Sequence, residues 1–167
     1  SGGGPLGEWM THFFTGVGVD VYEGYGMTEA SPVITLNVAG AWKPGTVGRP
    51  VPGTDVHLAA DGEILVRGRQ VFGGYWNDAD ATAASLDADG WFSTGDLGDI
   101  DDDGYIRILG RRREIIVTAG GKIVSPAVLE DRIRTHPVIS QCLVVGDGKP
   151  FMALNGFIRY HARQFEA

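Results

Sequence analysis

Glycine sets the terms on which this chain can fold. Twenty-six of its 167 residues are glycine, and they cut the sequence into short pieces. Inside a helix a glycine costs roughly 1 kcal/mol relative to alanine. At a turn or a bulge its tolerance of positive φ is an advantage. Punctuation this dense predicts short strands and turns, with few long helices. Hydrophobic residues make up 43% of the chain and aromatic residues 10%, enough to build a packed core rather than a disordered segment.

Alternating apolar positions place strands over residues 17–22, 63–68, 91–94 and 105–109, with extended chain and turns over 47–58. A short helix is predicted over 78–86, capped by Asp78 or Asp80, with Gly90 past its end. The run Asp99 to Gly104 reads as a solvated turn. After Gly110 the pattern changes. Arg111-Arg112-Arg113 interrupts the apolar alternation, a strand follows over 114–118, and Gly120-Gly121 makes a turn. A helix is expected over 125–136, with Ser125 as cap, Pro126 in its first turn, Pro137 as its stop, and Val128, Leu129 and Ile133 on one apolar face. A last strand covers 141–145, and no pattern is assigned beyond about residue 153, where Arg159-Tyr160-His161-Ala162-Arg163 is weakly basic.

Several classes of chemistry are set aside. A net charge of −7 does not suit a nucleic-acid binder, which needs clustered Lys and Arg against phosphates. Asp99, Asp101, Asp103 and Gly104 imitate the start of a calcium loop, but its twelfth position is Gly110 where a bidentate Glu is required. Gly120-Gly121-Lys122 and Gly2-Gly3-Gly4-Pro5 lack the spacing of a Walker loop. His12, His57, His136 and His161 have no metal-ligand spacing. Cys142, alone in its apolar run, reads as a small buried hydrophobe. No stretch is apolar for long enough to span a membrane, and no signal peptide is expected. The chain opens at Ser1 in a glycine-rich run, so its natural start is expected elsewhere.

Three segments carry chemistry. In Tyr22-Glu23-Gly24-Tyr25-Gly26-Met27-Thr28-Glu29 two glycines allow close backbone approach to a flat ligand. Tyr25 can stack on a purine, Thr28 can donate to a phosphate oxygen, and Glu29 can hold Mg²⁺. The same segment reads equally well as a polar hairpin loop. Ser93-Thr94-Gly95-Asp96 follows the strand Trp91-Phe92, and an Asp at a strand end can accept both hydroxyls of a ribose. The third segment runs from Gly110 through Arg113, Gly120-Gly121 and Ser125 to Glu130. Taken alone it is also a solvated charge run before an ordinary strand and helix.

In this order and wording the three segments resemble the adenylate-forming superfamily: acyl-CoA ligases, firefly luciferase and peptide-synthetase adenylation domains. The resemblance runs from Ser1 to about Pro150. Gly110-Arg111-Arg112-Arg113-Glu114-Ile115-Ile116-Val117-Thr118-Ala119-Gly120-Gly121-Lys122, together with Phe72-Gly73-Gly74-Tyr75-Trp76-Asn77, leans toward the long-chain fatty-acid–CoA ligases. The fold it implies is α/β, with α+β character in this stretch. Residues 1–112 would be the β-rich end of the large adenylation domain, and 113–167 the hinge and the start of the small C-terminal domain.

The resemblance further implies that ATP and a fatty acid give an acyl-adenylate, from which coenzyme A displaces AMP. Ser1-Gly2-Gly3-Gly4-Pro5 would lie along the adenine and acyl pocket, and Gly24, Tyr25 and Gly26 would flank the adenine. Thr28 would contact the α-phosphate and Glu29 would hold Mg²⁺, the two forming the catalytic pair. Asp96 would bind the ribose hydroxyls, and Arg111 would reach the same ribose. Arg113 falls on the hinge position, which is Asp or Lys in relatives, and Gly120 and Gly121 would line the tunnel for the pantetheine arm. The location implied is cytoplasmic, with peripheral membrane contact where long-chain acids partition, although no amphipathic anchor is evident.

The Ser/Thr/Gly-rich phosphate loop, most of the large domain and the catalytic lysine have no match. Lys149 is too early for that lysine, and Lys122 lies in the hinge-side loop. The missing N-terminal part of the same enzyme is therefore an expected partner. The rival readings are another branch of the superfamily, a truncated paralogue that at most binds nucleotide, and a β-rich binding module with accidental motifs.

Overall fold

The computed structural model describes residues 1–158 except 5, 7 and 122. Pro5, Lys122 and the basic stretch 159–163, all named above, lie outside the described residues. The chain divides into two compact units, Ser1–Leu109 and a second beginning at Gly110. Secondary structure is mixed helix and sheet, as the α/β expectation requires.

The first unit holds two antiparallel sheets. One has the order β1-β2-β3, formed by Gly24–Gly26, Val33–Leu36 and Arg49–Pro50. The other has the order β4-β5-β6-β7: Thr54–Leu58, Glu63–Gly68, Phe92–Ile100 and Ile106–Arg111, the last two residues of β7 being counted in the second unit. Ala30, Ile34, Ile64, Val66 and Ile106 are fully buried and form one cluster. Main-chain bonds join the sheets at this core: Val47 N donates to Ile106 O at 2.8 Å, and Ile106 N donates to Gly48 O at 2.9 Å. Gly48 has φ +87°, and a Cβ there would lie 2.0 Å from the Leu36 carbonyl carbon, so no other residue fits.

Strand β5 matches its expected span because its apolar run Ile64-Leu65-Val66 pairs on both sides. Helix α2, Ala79–Ser85, follows its capping signal, since Asp78 accepts a hydrogen bond from Ala81 N at 2.9 Å. The strand expected over 17–22 does not form. A helix not foreseen, α1 over Glu8–Gly16, precedes it, and its end consumes those amides. Val17 and Gly18 donate to the carbonyls of Phe13 and Thr15, and Val19 to that of Phe14, while Gly18 takes φ +82°. That is a glycine-terminated helix end. Strand character moves downstream to β1, and β2 is likewise additional.

In the second unit a 3-10 turn, Arg112–Glu114, leads to the hairpin β8 (Ile116–Val117) and β9 (Ile123–Val124). Helix α3, Pro126–Arg134, packs on β10 (Ile139–Val145), which pairs antiparallel with β11, Ala153–Ile158. β11 falls where no pattern was expected. Glu130 fastens helix to strand by accepting from Val144 N at 2.8 Å. Ser125 sits at the N-cap without a side-chain cap bond, and Val128 is 55% exposed rather than on the buried face.

Candidate functional site

The segment around Tyr25 is built by close packing. A Cβ on Gly26 would lie 1.7 Å from Pro32 O, and one on Gly24 would lie 2.9 Å from Leu36 Cδ1. Gly26 is therefore already demanded by rigid backbone, whatever ligand it also meets, whereas the atom nearest Gly24 is the movable end of a leucine side chain. Ser1 runs beside this strand: Gly24 N donates to Ser1 O at 3.0 Å, and the Ser1 amino group donates to Tyr22 O at 2.6 Å. Buried Glu23 ties the preceding chain down, accepting from Leu6 N at 3.1 Å and from Thr11 Oγ1 at 3.3 Å.

Asp96 does not end its strand as expected. It lies inside β6, at an irregularity where Leu65 pairs with Ser93 but Glu63 pairs with Leu97. Extra residues on one strand make a bulge, which re-aims a side chain. Gly95 takes φ +73° there and donates to Glu63 Oε1 at 2.9 Å. Thr94 Oγ1 donates to Ile64 O at 2.8 Å and accepts from Asp96 N at 3.1 Å. The outcome is a carboxylate only 4% exposed that accepts the Tyr25 hydroxyl at 2.6 Å. Two residues 71 apart in sequence are thus joined directly.

Thr28 and Glu29 share a 3-10 turn, Thr28–Ala30, fixed by buried Ala30 and closed by Ser31 at φ 51°. Thr28 is exposed and Glu29 half-buried. Glu29 is held from a second element: its Oε1 accepts the Tyr75 hydroxyl at 3.0 Å, and its carbonyl accepts Phe72 N at 2.8 Å. Burial first, then the hydrogen bond to Glu29 and its charge, push the Tyr75 phenol above its ordinary 10.0, against a lowering hydrogen bond from Ser85. Tyr75 therefore stays a donor at neutral pH. Sequence reasoning quoted this tyrosine but gave it no role. The signal was the double glycine before it, which marks a chain reversal.

Arg111, Arg113, Gly120 and Gly121 lie in the second unit and are exposed. Arg111 lines a cavity of about 500 Å³ with Ile116, Ser125, Glu130 and Leu143, among others. A Cβ at Gly120 or Gly121 would meet nothing within 4 Å, although Gly121 holds φ +75°. Among the described residues no group of three His, Cys, Asp or Glu side chains is placed to hold a metal ion. A single carboxylate beside a hydroxyl instead suits Mg²⁺ carried by phosphates, which takes only one or two protein oxygens. No helix among the described residues is long and apolar enough to cross a membrane.

The sequence matches the family described as AMP-binding enzyme over residues 1–76, and the AMP-binding enzyme C-terminal domain over residues 113–158. It is 56% identical over 152 residues to the long-chain-fatty-acid–CoA ligase FadD15 of Mycobacterium bovis, covering 91% of this chain and 25% of that protein. The chain thus spans about a quarter of the length of that relative. In structure it resembles the o-succinylbenzoate coenzyme A synthetase MenE of Bacillus subtilis in complex with AMP, with a TM-score of 0.83 and 28% identity, over 97% of this chain and 36% of that one. The same enzyme in complex with ATP and magnesium ion superposes with a TM-score of 0.81 at 30% identity, over 94% and 35% of the two chains.

Proposed function

Because the chain belongs to the adenylate-forming, AMP-binding enzymes, we propose that it is the nucleotide-holding stretch of a long-chain fatty-acid–CoA ligase. The Tyr25–Asp96 pair carries this reading. It places an aromatic ring and a buried two-oxygen acceptor side by side, the pairing that a base and its ribose require. The 56% identity to a long-chain ligase, against 28% to an o-succinylbenzoate one, supports the long-chain branch.

In the proposed reaction a fatty-acid carboxylate attacks the α-phosphorus of ATP. The bond to pyrophosphate breaks, and the acyl-adenylate forms. The thiol of coenzyme A then attacks the acyl carbonyl, and AMP leaves. Asp96 accepts the ribose hydroxyls, Tyr25 with Gly24 and Gly26 borders the adenine, and Thr28 donates to the α-phosphate. Mg²⁺, when bound through Glu29, supplies positive charge against the phosphate oxygens. The contribution of these groups is placement and electrostatics. In this proposal residues 1–112 belong to the large domain and 113–167 to the hinge and small domain. Arg111 reaches the ribose, Arg113 is the pivot, and Gly120 and Gly121 leave room for pantetheine. The N-terminal remainder of the ligase supplies the phosphate loop and the acyl pocket. The enzyme works in the cytoplasm, with peripheral membrane contact where long-chain acids partition.

Calorimetric titration with AMP tests the site. The chain is expected to bind, and Asp96→Ala to abolish binding while the melting transition persists. Undiminished affinity in Asp96→Ala would remove the basis of this reading.

A further inference from the structure

The side chain of Glu29 sits on a short surface turn and has three torsions to settle before it can meet a cation. Residues 72–75 settle them from outside that turn. Phe72 N holds the Glu29 carbonyl at 2.8 Å, and the Tyr75 hydroxyl holds Glu29 Oε1 at 3.0 Å, so one strap grips both backbone and carboxylate. The strap is itself anchored. The Phe72 ring meets Tyr75 edge-on at 4.8 Å and Phe92 at 5.4 Å. Tyr75 N donates to Thr82 Oγ1 at 2.9 Å, and Thr82 Oγ1 donates to Asp78 O at 2.7 Å. Gly74 lets the strap come this close: at φ +136° a Cβ there would lie 2.7 Å from Thr82 Cγ2. These contacts bring together helix α2, strand β6 and the turn that carries Glu29.

We propose that Tyr75 is a positioning residue for the nucleotide-bound cation: its hydroxyl occupies Oε1 of Glu29 and leaves Oε2 as the single oxygen that meets the metal. This rests on Glu29 being the metal-holding carboxylate. A carboxylate held by a neighbour in this way binds one metal coordination position rather than two, which suits an ion that keeps its remaining positions for phosphates and water. Tyr75 is 38% exposed, so loss of its hydroxyl leaves the fold standing. Its aromatic packing on Phe72 survives in phenylalanine.

The test uses the full-length ligase that carries this segment, with Mn²⁺ as a paramagnetic probe and α,β-methylene-ATP as nucleotide. Mn²⁺ affinity in the ternary complex is read by electron paramagnetic resonance. Tyr75→Phe is expected to weaken Mn²⁺ binding by about 10- to 100-fold, with metal-free nucleotide binding and the melting transition unchanged. Glu29→Gln is expected to weaken it further, and adding Tyr75→Phe to Glu29→Gln to change nothing more, because the phenol acts only through that carboxylate. Wild-type Mn²⁺ affinity in Tyr75→Phe, or losses that add in the double variant, would overturn the role of Tyr75 alone. Wild-type affinity in Glu29→Gln would overturn the metal role of Glu29 and this inference with it.

Discussion

Gly26 and Tyr25 are adjacent, yet the structure uses them for different purposes. Gly26 has no room for a side chain because Pro32 O would lie 1.7 Å from its Cβ. Gly26→Ala is therefore expected to destabilise the ligand-free protein by about 3 kcal/mol or more, as an overpacked contact against rigid backbone does. A denaturant melt without nucleotide reads this directly, and an unchanged midpoint would return the glycine to a purely ligand-facing role. Tyr25→Phe removes the hydroxyl that Asp96 accepts at 2.6 Å. A hydrogen bond to a charged group contributes about 1.5–3 kcal/mol, and a loss of stability near the lower end, with weaker AMP binding, is the expected outcome. The residue types at this site were legible in the sequence because three segments, in order, resemble one family; the Tyr22–Glu29 segment alone reads equally well as a polar loop. Their pairing was not legible, since nothing local links Tyr25 to Asp96, 71 positions away.

Short elements here stand on their ends. Helix α2 buries no residue completely, so its cap matters more than its packing. Asp78→Ala is expected to cost about 1 kcal/mol, measurable as a lowered urea midpoint. The acidic turn between β6 and β7 is an organised corner as well as a solvated one. Asp101 accepts from Asp103 N at 3.0 Å and Tyr105 N at 2.9 Å, and pairs with Lys43. The Arg49 guanidinium lies 4.4 Å from the Tyr105 ring centre beside it. The hydrogen bond from Lys43, then that from Tyr105 N, hold the Asp101 carboxyl below its ordinary 3.8. The bond from Asp101 holds the Lys43 ammonium above its ordinary 10.5. A lowered acid stabilises the fold above its unfolded value and loses that effect as pH falls through its folded value. A raised base stabilises it below its unfolded value and loses the effect as pH rises through its folded value. The pair therefore contributes between about pH 4 and 10, and Lys43→Ala should flatten the acid and alkaline limbs of a melting-temperature profile. Unaltered limbs would show that the pair contributes nothing measurable, as many exposed pairs do.

For the whole molecule, the division at Gly110 follows a change of composition that the sequence displays, three successive arginines after an apolar strand. All three are exposed and stand at or within a 3-10 turn rather than deep in a sheet. Limited trypsin digestion is expected to cut first among Arg111, Arg112 and Arg113 and to leave the first unit intact. Earlier cutting at Arg67 or Arg107 would show that the β4–β7 sheet is not the more stable body. The first unit also exposes Trp9 at 64%, Phe13 at 51% and Val17 at 62%, and an apolar surface of this kind favours association. Light scattering of the chain is expected to show self-association that Trp9→Lys reduces.

The sequence by itself determined the family, the mixed helix-and-sheet class and the elements whose signals are local: strand β5, the Asp78-capped helix α2 and the turn at Gly120-Gly121. Periodicity, capping residues and glycines act within a few positions, so they can be read without the fold. Only tertiary structure decided what depends on a distant partner. Residues 17–22 alternate like a strand, but their first amides close helix α1 instead, because a strand exists only where another strand accepts it. Asp96 reaches Tyr25 only through a bulge set by its pairing with β5, and Glu29 is held by a tyrosine 46 residues away. Directed contacts between distant segments are products of packing, and no local pattern encodes them.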